Sequence, residues 1–76
     1  MDVRNISRLC YGNGFTLWHY KAGVTPLAII EVPGFFDSAC GLFATGDMVL
    51  VSGSGGGCVL FVSKADDDGV VVTRMV

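Results

Sequence analysis

The sequence predicts a small, mainly β domain: an antiparallel barrel or sandwich of about five strands with one short helix. Three observations carry this. Phe15-Thr16-Leu17-Trp18-His19-Tyr20-Lys21 is dominated by aromatic and β-favouring residues. Leu42 to Ser52 reads as a helix end, a tight Gly46-Asp47 turn and an apolar strand entering the core. Two further β-favouring runs, Cys58–Lys64 and Val70–Arg74, follow at hairpin spacing.

Residues 1–10 intersperse Val3, Ile6 and Leu9 among polar neighbours, which fits an N-terminal arm or a first strand. Residues 11–76 form the single β-rich domain. Tyr11-Gly12-Asn13-Gly14 is a hairpin signal, because Asn-Gly tolerates the positive φ angles of a type I′ turn. In the strand that follows, alternation sets Phe15, Leu17, His19 and Lys21 on one side and Thr16, Trp18 and Tyr20 on the other. Neither set is purely polar, so both faces are expected to be partly covered.

Ala22-Gly23-Val24-Thr25-Pro26 ends the strand, and Leu27–Val32, with the strand-sized apolar run Leu27–Ile30, leads to a Pro33-Gly34 turn. Phe36, Ala39, Cys40 and Phe43 then recur at helical spacing, predicting about two turns weakened by Gly41. Asp37 or Ser38 is placed to cap the start, and Gly46 to close the end in a left-handed conformation. Asp47 is placed to satisfy turn amides. Met48–Ser52, Cys58–Lys64 and Val70–Arg74 read as a three-strand meander. The middle strand, Cys58-Val59-Leu60-Phe61-Val62, is apolar on both faces, the pattern of a strand covered from two sides. The second cover is either another part of a closed barrel or a neighbouring subunit.

Composition points the same way. Seventy-six residues make one domain, and a chain of this size buries only about 60% of its unfolded surface. Apolar residues make up 51% and charged residues 16%, against about 25% charged in an average domain. The surplus apolar area needs a partner surface. No run approaches the roughly 18 apolar residues of a spanning helix, and the N-terminus lacks a leader's apolar core, so a soluble, unsecreted chain is expected. The net charge is −2 and the cations Arg4, Arg8, Lys21, Lys64 and Arg74 are scattered, which disfavours nucleic acid as a partner. Cys10, Cys40 and Cys58 are odd in number and widely spaced, as free thiols in a reducing compartment would be.

Each candidate chemical motif has a plainer reading. Gly53-Ser54-Gly55-Gly56-Gly57 lacks the Lys-Ser/Thr and helix of a phosphate loop and reads as a hairpin connection. Asp66-Asp67-Asp68-Gly69 lacks the later Glu of an EF-hand and reads as a solvated hairpin tip. His19, the one histidine, has no spacing to a cysteine that demands nucleophilic or metal chemistry. Asp37 and Asp47 have capping and turn roles. No catalytic, cofactor-binding or metal-ligating residue is assigned, no cofactor or small-molecule substrate is implied, and an enzyme is not expected.

Phe15–Lys21, Gly34-Phe35-Phe36-Asp37 and Leu42 followed by Gly46-Asp47-Met48-Val49-Leu50-Val51 together resemble short proteins that tailed bacteriophages encode near their structural genes. The resemblance spans residues 11–52. It implies a virion protein of the capsid decoration or cement type, made in the host cytoplasm and carried on the capsid surface. Its partners would be the major capsid protein and further copies of itself, in a closed oligomer such as a trimer. The alternative is a small SH3-like barrel serving as a binding module for a peptide or protein. Contact residues are expected in the N-terminal arm (Val3, Arg4, Ile6, Arg8) and the mixed strand (Trp18, Tyr20), because Arg and aromatics are enriched at interface hot spots.

Overall fold

The computed structural model describes residues 1–76. Five strands form one sheet: β1 (Ile6–Gly12), β2 (Phe15–Gly23), β3 (Met48–Gly53), β4 (Gly56–Asp66) and β5 (Gly69–Arg74). One short helix, α1 (Leu27–Ile30), lies between β2 and β3. The strands lie side by side in chain order. β1–β2, β3–β4 and β4–β5 are antiparallel, whereas β2–β3 is parallel. The chain is thus mainly β with one short helix, as its sequence predicts, but the sheet is mixed rather than antiparallel throughout. It is also open, with β1 and β5 as free ends of the order rather than neighbours in a barrel.

Local chemistry explains the hairpins. Asn13 and Gly14 both adopt positive φ (58° and 78°), so β1 turns tightly into β2. At the β4–β5 tip, Asp66 accepts from the Asp68 amide at 2.8 Å and satisfies the turn from within. The expected N-terminal arm divides in two. Val3–Asn5 form a single 3-10 turn capped by the Asp2 side chain, and Ile6 onwards belongs to β1.

A parallel pair cannot be joined by a tight turn, so residues 24–47 cross from the end of β2 to the start of β3. Within this crossover the structure redistributes the expected helix. Leu27–Ile30 form the α-helical turn, entered from Pro26 at φ −61° and ended at Glu31, whose amide bonds back to Leu27 and Ile29. Pro26 suits a helix start, because its fixed φ is already helical and no earlier carbonyl awaits its missing N–H. The 36–43 segment holds only a 3-10 turn at Asp37–Ala39. The Leu42 and Phe43 amides then both return to the Ala39 carbonyl, around the exposed Gly41, so the run closes on itself instead of extending.

The crossover lies on one face of the sheet. Ile30, Phe36, Ala39 and Phe43 press onto Trp18, Tyr20, Val49, Leu60 and Val62, all at most 6% exposed. Aromatic rings link the layers in tilted and edge-on contacts, Trp18–Phe43 at 5.3 Å and Tyr20–Phe36 at 5.3 Å between centroids, and Phe36 meets Phe43 at 5.4 Å within the crossover. Arg74 at the end of β5 pairs with Glu31 beside α1 at 3.3 Å.

Candidate functional site

The same strands present a second face. Because side chains alternate, the residues between the core positions point away from the crossover. The register aligns them in rows: Cys10, Leu17, Met48, Phe61 and Thr73 in one, and Ser7, His19, Leu50 and Val59 in the next. Leu17, Met48, Leu50, Val59, Phe61 and Val71 are half-buried, and none joins the core cluster. No second layer of this chain lies over them. The expectation that β4 is covered from two sides therefore resolves into one cover, the crossover, and one open apolar face.

His19 sits among these residues and its ring Nε2 is 2.7 Å from the Ser52 hydroxyl. That contact is the imidazole's one side-chain hydrogen bond, so no second group orients the ring as nucleophile activation requires. The bond leaves a polar group satisfied in an apolar surface. Lys21, Ser52 and Thr73 stand exposed around the apolar centre, giving it a polar rim.

The edges of the sheet differ from its face, since both are blunted. On β5, Val70 donates its amide to Asp37 Oδ1 at 2.9 Å and accepts from the Gly34 amide at 3.4 Å, so the crossover occupies the start of that edge. Gly69 makes this approach feasible. Its φ is +134°, and an added Cβ would stand 2.5 Å from Asp37 Oδ1. Asp37 thus caps a strand edge rather than the helix start assigned to it from sequence. On β1, the register slips between Arg8 and Cys10, so a bulge at Leu9 interrupts the regular ladder. Bulges and occupied edges discourage lateral strand addition.

The covered face is pinned by one carboxylate. Asp47 is 2% exposed and accepts from the Trp18 indole at 2.9 Å, the Ala44 amide at 3.0 Å and the Thr16 amide at 3.2 Å. Gly46 precedes it at φ 98° and sends its amide to the Val62 carbonyl. The turn role expected of Gly46-Asp47 is present. Its further reach, to β2 some thirty residues earlier, has no sequence signal.

The expected contact residues are dispersed. Val3, Arg4 and Arg8 are exposed, while Ile6 packs partly against the core. The Arg4 side chain is turned back onto Asp2 at 3.0 Å, and its hydrogen bonds hold the Asp2 carboxyl below the usual carboxylate range. Arg8 lies 5.7 Å from the Trp18 ring centroid. Trp18 and Tyr20 correct the expectation. At 6% and 3% exposed they belong to the core, because the crossover aromatics land on their side of β2. The partly exposed residues of β2 are Leu17 and His19, the opposite set in the alternation.

Other candidates stay apart. Cys10 is exposed, Cys40 half-buried and Cys58 buried, and burial pushes the Cys58 thiol upward. No group of three His, Cys, Asp or Glu side chains is placed to hold a metal ion, and no helix is long and apolar enough to cross a membrane. A shallow hollow of about 260 Å³ lies between the crossover and the β4–β5 tip, with Asp37, Lys64 and Asp68 among its lining. Compared with family models, characterised proteins and solved structures, the chain matches none.

Proposed function

We propose that the protein is a structural assembly subunit, a virion protein of the capsid decoration or cement type that braces neighbouring capsid subunits. The observation that carries this reading is the open apolar face of the sheet. A face with Leu17, Met48, Leu50, Val59 and Phe61 only partly buried, in a chain with only 16% charged residues, gains free energy when another protein surface covers it. An assembly subunit needs nothing more than such burial, since each bound copy adds its interface energy to the shell. The resemblance over residues 11–52 supplies the kind of assembly, and the exposed Val3, Arg4 and Arg8 offer a second contact. An SH3-like module would use a small closed barrel, and the open mixed sheet gives that reading less support.

Co-sedimentation with expanded tailed-phage shells stripped of their decoration protein tests the proposal. Wild-type chain should pellet with the shells and raise their melting temperature. Leu50→Glu, with a charge at the centre of the face, should lose both effects, and removal of residues 1–8 should weaken them. Retention of full occupancy by Leu50→Glu would sink the reading of the face.

A further inference from the structure

The open face has a definite size, shape and surround, and together these select an occupant. We infer that its first partner is a second copy of this chain, the two sheets packing face to face as a symmetric dimer. This deepens the assembly reading above and rests on the same face.

Area is the first argument. Five strands at about 4.8 Å spacing and about 3.3 Å per residue make a face on the order of 450 Å². Two such faces together remove on the order of 900 Å², short of the roughly 1,200–2,000 Å² of stable interfaces and in the range of weak, transient ones. The pair is therefore expected to be reversible rather than obligate.

Shape is the second. Two copies of one sheet share one twist, and equally twisted sheets stack about 10 Å apart with their side chains interleaved. Leu50 and Val59, directly opposed in the β3–β4 register, stand at the centre. Lys21, Ser52 and Thr73 stay at the edge, so the pair has the dry centre and wet rim of a specific interface. His19 enters with its ring already bonded to Ser52.

The edges supply the third argument. Asp37 and Gly34 occupy the start of β5, and the bulge at Leu9 breaks β1, so side-by-side growth is hindered at both ends of the sheet. Contact through the face is isologous, so one pairing occupies it until a shell surface takes the place of the second copy. Assembly by this route closes at two.

Sedimentation equilibrium of the full chain tests the inference, from about 1 μM to about 1 mM. The mass should rise from 8.0 kDa toward twice that value. Leu50→Glu should keep the wild-type circular dichroism and weaken dimerisation by more than about 100-fold. Leu50→Ser serves as the milder variant if the charge disturbs folding, and should weaken dimerisation in the same direction. Leu9→Pro, on the β1 edge, should dimerise as the wild type does. A wild-type mass of 8.0 kDa throughout, or a limit at three copies, overturns the inference. So does a dimer that Leu9→Pro abolishes and Leu50→Glu leaves intact. A monomer that binds capsid shells through Leu50 would end the dimer yet leave the assembly reading standing. A Leu50-dependent dimer that ignores the shells would do the reverse.

Discussion

Leu60 and Leu50 occupy adjacent strands of one sheet and have the same side chain, yet they live in different solvents. Leu60 is fully buried under the crossover, whereas Leu50 on the other face is only half-buried by its neighbours. The difference lies in what reaches each face, because residues 24–47 cross on one side only. The covered face holds the fold, and the open face holds apolar surface in reserve. Similar composition is therefore buried on one side and left partly in water on the other.

The contrast breaks most sharply by truncation. Leu60→Ala should cost about 3 kcal/mol of unfolding free energy, the sum of lost transfer and an unfilled cavity. Leu50→Ala should cost about 1 kcal/mol or less in the monomer, since its side chain is already partly in water. Urea denaturation near 1 μM, with both slopes compared, reads the difference directly. Equal losses would mean that the open face is covered within a single chain.

Asp47 sharpens the same comparison, because the covered face depends on polar precision as well as packing. Asp47→Ala strands three donors, the Trp18 indole and the Thr16 and Ala44 amides, and should cost about 3 kcal/mol. Asp47→Asn keeps the shape but turns an NH2 toward a donor, and should cost about half as much. Thermal melts followed by tryptophan fluorescence would rank the two, and a neutral Asp47→Ala would dismiss the carboxylate as an anchor.

The cysteines give the mildest probe. Cys10 is exposed and lies in a row with Leu17, while Cys58 is buried on the covered face with its thiol pushed upward. At pH 8 a raised thiol pKa leaves less thiolate, so burial and protonation act together against reaction. A disulfide reagent should label Cys10 at least about tenfold faster than Cys58. Comparable rates would show that the crossover opens readily.

Much of this architecture is legible in the sequence. The Asn13-Gly14 turn, the Gly46-Asp47 turn and the three C-terminal strands come from local chemistry, and local chemistry is what a chain displays. The parallel β2–β3 pairing is different, since it depends on where residues 24–47 carry the chain, and no local preference encodes it. The helical spacing of Phe36, Ala39, Cys40 and Phe43 misleads because those side chains do converge on the core, but from 3-10 and turn backbone. Trp18 and Tyr20 look like contact residues because neither set of their strand is purely apolar or polar. Alternation divides a strand into two sets, and only the tertiary fold decides which set is covered. The apolar run Cys58–Val62 likewise shows that both faces of β4 are apolar, but not that only one of them is covered within the chain.

The crossover also has a consequence in time. β1–β2 and β3–β4–β5 are each built by short-range reversals, and such hairpins form in about 1–10 μs. Joining them requires a long loop to close before the parallel ladder repays the lost chain entropy. Asp47 sits at the end of that loop, and its bond to Trp18 exists only when the two halves have met. Trp18 is the chain's one tryptophan, so stopped-flow fluorescence should follow the meeting of the halves and little else. A change in emission completed within the microsecond hairpin phase would refute that order. Refolding of this small domain then has a natural last step, the docking of two independently formed ribbons, and an intrinsic signal that reports it.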